Sequence, residues 1–273
     1  MAETFSEDEL DELLEVALAA AETGARVALH WSSLRGELQV CEKNGANDLV
    51  SQADHETEAA IRAVLRERRP QDAVLGEEAG ISPGTSPVRW AVDPIDGTTE
   101  YLYDRSSWAV SLAAISAIDG AILTGVVAEP SLARVTSARL GGGTWCAGRR
   151  AECRTADDLS RALVEVNLGA GEQRQRAAKV MRELVPRVRD IRDCGSAASA
   201  LAGVAAGRID AYWGPGLQVW DAAAGMLLVN EAGGTSGDLH GAPLGSWPKS
   251  GDVLAANPSL RAQLQPLLSA AWR

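Results

Sequence analysis

The sequence predicts a mixed α and β protein in two parts: an α+β region over 1–155 with an antiparallel sheet, and an α/β region over 156–273. Three observations carry that expectation. The 273 residues are 46% hydrophobic, enough to bury a sizeable core. Before residue 155, two amphipathic helical patterns precede a series of strand-like runs separated by turn signals. After it, short apolar runs alternate with helical ones, the pattern of a sheet covered by helices.

Taken in order, Ser6 with Glu9 has the form of a capping box. Leu10, Leu13, Leu14, Ala17, Ala20, Ala21, Gly24, Val27, Ala28 and Trp31 then recur at helical spacing, so one long amphipathic helix runs to about Gly36. The polar, glycine-bearing stretch from Lys43 reads as a loop or hairpin leading into a helix start. Asp54 stands at that start, where capping is its ordinary role, and the helix through Ile61, Val64 and Leu65 stops at Pro70. Residues 73–75 read as a strand, as do 90–92, 108–115, 121–127 and 134–138, with Asp119-Gly120 marking a hairpin. Gly141 to Gly143 read as a turn, because neither a Lys-Ser/Thr ending nor a helix follows them. In the second part, 163–166, 188–192, 209–213 and 253–256 read as strands, and 173–184, 196–206, 221–232 and 258–271 as helices.

The stretch that organises the chemistry is Asp93-Pro94-Ile95-Asp96-Gly97-Thr98-Thr99 at the end of an apolar run. Proline restricts φ and glycine accepts a positive one, so Asp93, Asp96 and the Ile95 carbonyl are expected in one tight arc. Hard oxygen ligands that converge suit Mg²⁺ or Mn²⁺; an ordinary turn with two solvated acids is the alternative. Gly76-Glu77-Glu78 follows another apolar run, and two neighbouring strands would bring Glu77 and Asp93 to the same sheet edge. Gly195-Ser196-Ala197 opens a helix, which makes it either an anion or hydroxyl binding place or a plain serine cap. Asp221, behind Trp220, is either a helix cap or a further ligand.

Charge and composition exclude several functions. A formal net charge of −11 argues against a nucleic-acid or anionic-membrane surface, so a phosphate-bearing substrate needs local cations. No uncharged apolar run is long enough to span a membrane, and the first residues carry no basic leader pattern, so a soluble cytoplasmic protein is expected. Cys41, Cys146, Cys153 and Cys194 form no CxxC pair and are expected as reduced thiols. His30, His55 and His240 match no metal or triad spacing.

Lys43, Asp48, Asp54, Gly76-Glu77-Glu78, Asp93-Pro94-Ile95-Asp96-Gly97-Thr98-Thr99, Gly195-Ser196-Ala197 and Trp220-Asp221-Ala222-Ala223-Ala224-Gly225 together resemble the inositol monophosphatase family of lithium-sensitive, Mg²⁺-dependent phosphatases. The likeness spans nearly the whole chain. It implies a five-layer αβαβα sandwich and a homodimer. It implies that Glu77, Asp93 and the Ile95 carbonyl hold one metal, that Asp93, Asp96 and Asp221 hold another, and that a weaker third lies by Glu77. It also implies that Thr98, hydrogen-bonded to Asp54, positions the attacking water with Glu77, while Gly97, Thr98, Gly195, Ser196 and Ala197 contact substrate. Crowded carboxylates of this kind require divalent cations in any case.

Three positions depart from the family pattern: Ser51 stands for threonine, Glu100 for asparagine, and Gly214 for a glutamate that grips substrate hydroxyls. They spare the expected metal ligands and bear on the substrate. The expected reaction is hydrolysis of a small phosphate monoester, an inositol phosphate or related sugar or cyclitol phosphate, by water activated at two or three Mg²⁺. A histidinol-phosphate or 3′-phosphoadenosine-type substrate is the alternative within the family. A binding or regulatory protein that kept the fold without turnover is the alternative outside enzymology.

Overall fold

The computed structural model describes residues 5–34, 36, 38, 40–42, 49–240 and 247–272. Helix α1 (Glu7–Ser33) opens with the expected capping box, Glu9 N–H donating to Ser6 Oγ at 3.3 Å and Ser6 N–H to Glu9 Oε2 at 2.7 Å. It stops three residues short of Gly36, where the Leu34 N–H turns back to the Trp31 carbonyl. Strands β1 (Val40–Glu42) and β2 (Leu49–Ser51) pair antiparallel as a hairpin; Lys43 and Asp48 lie outside the described residues. Ser51, not Asp54, caps helix α2 (Gln52–Arg68), and Asp54 reaches back to the Ser51 backbone from the third helical position.

The large sheet follows. It holds β3 (Ala73–Gly76), β4 (Gly80–Ser82), β5 (Val88–Asp96), β6 (Ala109–Ser116), β7 (Ile122–Glu129), β8 (Arg134–Arg139), β9 (Gly143–Cys146) and β10 (Arg149–Ala151). A five-residue helix α3 (Thr98–Leu102) sits between β5 and β6. The strand order is β10-β9-β8-β7-β6-β5-β3-β4, antiparallel throughout except for the parallel pair β3–β5. That exception matters, because a parallel pair brings the C-terminal ends of two strands to the same edge.

The second sheet contains β11 (Leu163–Val166), β12 (Asp190–Arg192), β13 (Ala211–Gly214), β14 (Thr235–Gly237) and β15 (Val253–Ala256), with helices α4 (Glu172–Leu184), α5 (Ala197–Ala205) and α6 (Val219–Glu231) between them and α7 (Pro258–Trp272) after the last. Its order is β12-β11-β13-β15-β14; the first three strands are parallel and the last two antiparallel, so the alternating pattern yields a mixed sheet.

The layers explain the composition. Helices α1 and α2 cover one face of the large sheet through a core that includes Leu13, Ile61, Leu65, Trp90 and Trp108. Helices α5 and α6 fill the space between the two sheets, and α4 with α7 closes the far side around Trp213, Leu264 and Trp272. A helix between two sheets has no solvent face; every residue of α5 is buried, and its run of alanines lets both sheets approach closely. The result is a five-layer αβαβα sandwich.

Candidate active site

The site is built at the C-terminal ends of β3 and β5. Their parallel register sets Gly76 opposite Val92, so the next residues, Glu77 and Asp93, are neighbours, and the Glu77 N–H donates to the Val92 carbonyl at 3.1 Å. Asp93 and Asp96 are three apart, which in a regular strand would put them on opposite faces. Here Asp93 faces Ser111 and Asp96 faces Ala109, so three steps on β5 meet two on β6. That bulge brings both carboxylates to one side, and Pro94, which has no N–H to give the ladder, is tolerated inside it. Gly97 follows with φ +92°, a conformation costly for any other residue, and turns the chain into α3. Buried Tyr101 then anchors α3, donating its hydroxyl to the Ala28 carbonyl at 2.7 Å and meeting Trp108 edge to face.

The remaining carboxylates arrive from helix starts. Asp221 is the third residue of α6 and accepts the Gln218 N–H at 2.8 Å. Ser111, opposite Asp93, donates its hydroxyl to the Trp220 carbonyl at 3.0 Å and so ties that helix start to β6. Asp54 Oδ2 accepts the Ser51 N–H at 2.8 Å and hydroxyl at 2.7 Å, while Oδ1 faces the Thr98 hydroxyl at 3.4 Å. The same hydroxyl lies 3.2 Å from the Ile95 carbonyl. Capping and site geometry are therefore compatible for both Asp54 and Asp221.

Asp93 lies in hydrogen-bond contact with Glu77 on one side and Asp221 on the other. Burial, first, and then the charges of Glu77, Asp96 and Asp221 push its carboxyl well above the usual range. Burial raises Asp96 to about 7, opposed by hydrogen bonds from Ser196 and the Ala198 N–H and aided by Glu77. Asp221 is raised well above its usual value by burial and by Asp96. The charges acting on Asp93 and Asp221 are all carboxylates. Such a group either shares protons or takes divalent cations, and an all-oxygen donor set fits Mg²⁺ or Mn²⁺. Among the described residues no group of three or more His, Cys, Asp or Glu side chains is already closed around a common point that could hold a metal ion.

One expectation changes in detail. The start of α5 is not open to an anion, because Asp96 Oδ2 already accepts the Ser196 hydroxyl and the Ala198 N–H, both at 2.6 Å. Ser196 is also the N-cap, accepting the Ser199 N–H at 3.1 Å, and the Gly195 N–H is taken by Asp193 at 3.2 Å. The Ser196 hydroxyl and the Ala197 and Ala198 N–H groups therefore hold Asp96 in place, while Gly195 is tied to Asp193, and Gly97 packs directly on Ser196. Glu100 covers Gly195, its carboxylate occupying the space where a side chain at 195 would stand. Glu78 turns away toward His55, 3.9 Å distant. Glu58, which the sequence reading passed over, lies directly beneath the Glu77 turn; its place one helical turn after Asp54 was the available signal.

The inositol monophosphatase family profile matches residues 9–273. The inositol-1-monophosphatase SuhB of Mycobacterium tuberculosis is 37% identical over 243 residues, 84% of this chain and 81% of that protein. A protein named Nus factor SuhB, from Salmonella typhimurium, is 34% identical over 249 residues, 90% of this chain and 91% of that one. The crystal structure of the extragenic suppressor protein suhB from Bartonella henselae superposes with a TM-score of 0.89 at 33% identity, covering 94% of this chain and 98% of the other. The chain thus belongs to the inositol monophosphatase family, a family of phosphomonoesterases.

Proposed function

We propose that the protein is a divalent-cation-dependent hydrolase of a small phosphate monoester, such as an inositol, sugar or cyclitol phosphate. Asp93 carries this reading, because it is 1% exposed and in contact with a carboxylate on either side. Glu77, Asp93 and the Ile95 carbonyl would hold one Mg²⁺, Asp93, Asp96 and Asp221 a second, and Glu77 a weaker third. Bound there, the cations supply charge neutralisation for the phosphate and the leaving oxygen, and make a nucleophilic water more acidic.

The chain's own residues do the positioning. Thr98 directs its proton toward Asp54 or the Ile95 carbonyl, which leaves its oxygen lone pairs to accept a hydrogen bond from the attacking water. Glu77 accepts the other hydrogen of that water and receives the proton as the new P–O bond forms and the ester P–O bond breaks, the leaving alkoxide taking a proton from solvent to depart as the alcohol. Thr98→Ala is expected to lower kcat by on the order of 10²-fold with unchanged Mg²⁺ affinity, the loss associated with one orienting contact. Calorimetric Mg²⁺ titration beside steady-state kinetics checks it; a matching loss of affinity would place Thr98 in the metal site instead.

Substrate choice turns on Gly214 and Glu100. Gly214 does not open space: a Cβ there would fall 2.2 Å from the Tyr212 hydroxyl, which fills the position and has no hydrogen-bond partner of its own. A glutamate at 214 is excluded while Tyr212 stays, so Glu100 is the accessible lever. Half-buried, with the opposed charges of Asp193 and Arg105 both acting on it, its carboxylate favours a leaving group that carries a cationic amine over a neutral polyol. Myo-inositol 1-phosphate is then not the best substrate, and Glu100→Asn improves it relative to an amino-alcohol phosphate by roughly five- to tenfold in kcat/KM, about 1 kcal/mol. A phosphate-release panel on both proteins tests this. Inositol 1-phosphate ranking first, unchanged in the variant, would remove Glu100 from specificity.

The name of the Salmonella relative supports a second reading, a regulatory protein with this fold. The two part on one measurement, Mg²⁺-dependent phosphate release from any member of that panel. The enzymatic reading also expects Li⁺ inhibition and a homodimer, which sedimentation would test. Among the described residues no helix is long and apolar enough to cross a membrane.

A further inference from the structure

We infer that Glu58 is the positioning residue that sets where Glu77 stands, an inference that rests on the proposed role of Glu77 in cation binding. Glu58 lies on α2, one turn after Asp54, and is 1% exposed. Its Oε2 accepts the Glu78 N–H at 2.7 Å, and its Oε1 accepts the Ala79 N–H at 3.1 Å and the Arg62 Nε–H at 2.6 Å. Gly76, on the other side of Glu77, is pressed against the same carboxylate: a Cβ there would lie 2.3 Å from Glu58 Oε1, so a side chain at 76 would push the strand end off its support. With the Glu77 N–H held by the Val92 carbonyl, the backbone is fixed before, at and after Glu77.

Arg62 completes the device. It is 9% exposed, and beyond Glu58 its guanidinium donates to Ser82 Oγ at 2.9 Å and to the Gly80 carbonyl, both on β4. The pair thus straps both sides of the β3–β4 turn to α2. Arg62 also neutralises a carboxylate that would otherwise add a further negative charge beneath an acidic site, and a buried acid with this partner and two amide donors is well satisfied. Because α2 also carries Asp54, the partner of Thr98, one helix face aligns the Glu77 turn with the Asp96–Thr98 turn. Small displacements of such supports typically weaken cation binding 10–100-fold.

The test is calorimetric titration of the full chain with Mg²⁺ in the absence of substrate, beside thermal melts in chelator. Glu58→Gln keeps the shape but turns one acceptor oxygen into a donor facing N–H groups; the expected result is a Mg²⁺ Kd raised about tenfold, with substrate KM at saturating Mg²⁺ nearly unchanged. Glu58→Asp retains the charge opposite Arg62 and falls short of the turn by one methylene; it should fold and show the same weakening. A Kd within twofold of wild type in either folded variant, with a lowered Tm, would overturn the inference and leave Glu58 a purely stabilising group. Asp93→Asn separates the two levels: if the wild type binds no Mg²⁺, or Asp93→Asn binds it as well as the wild type, the cation reading itself fails.

Discussion

Asp93→Asn is expected to lower kcat by at least the 10²–10³-fold on the order of which a single lost electrostatic stabiliser costs, with Mg²⁺ binding reduced in parallel. The size follows from its place. Asp93 is the buried carboxylate in contact with both Glu77 and Asp221, so in the proposed reading it is the residue that would serve both cation places. Asparagine preserves the volume, and its Oδ1 can still accept the Ile95 N–H that Asp93 Oδ1 now takes at 3.0 Å, so the bulge should survive. The variant should therefore fold, and its melting temperature in chelator should be equal to or above that of the wild type, because a buried carboxyl whose ionisation is opposed by burial and by neighbouring carboxylates has been removed. Phosphate release under saturating Mg²⁺ gives the first number and a melt the second. Activity within twofold of wild type would make the Asp-Pro-Ile-Asp segment a structural turn.

Much of this was legible in the sequence where periodicity is long. The helical stripe from Leu10 to Ala28 and the apolar strands of the large sheet have enough residues for spacing to decide, and each element appears with its boundaries shifted by at most four residues. The short elements β4, β9, β10, β14 and α3 went unread, since three to five residues carry no period; β4 is held by Arg62 from α2, which only the fold reveals. The site divides the same way. Asp93 and Asp96 announce themselves by type, but their common side depends on a bulge that alternation alone would have denied. The start of α5 reads as an anion site from its own sequence, yet the anion that fills it is Asp96, about a hundred residues earlier in the chain. Glu58 stood on the Asp54 face of α2, while its partners at 78 and 79 were set by strand pairing. Likewise Gly214 reads only as a missing glutamate until Tyr212, two residues back on the same face of β13, is seen to occupy the place of its side chain.

Removal of divalent cations is expected to abolish turnover altogether, and Mg²⁺ is expected to restore it and to raise the melting temperature, more at pH 8.5 than at pH 6. The pH term follows from the raised carboxyls. Asp96 titrates near 7 in the folded protein, and Asp93 and Asp221 are also raised, all three by burial first. A carboxyl raised on folding leaves stability intact below the unfolded value of about 4, and that stability is lost as pH rises through the folded value. The cation-free protein should thus weaken between about pH 4 and pH 7 and beyond, as charges are forced on groups that repel one another. Mg²⁺ binds the ionised form, so at pH 6 it must displace protons, whereas at pH 8.5 it relieves repulsion already present. At a hundredfold excess over Kd the stabilisation amounts to about 2.7 kcal/mol, easily read in a melt. Two melting curves at each pH, with chelator and with Mg²⁺, suffice. An equal shift at both pH values would disconnect the cations from Asp93, Asp96 and Asp221, and full turnover in chelator would end the cation mechanism.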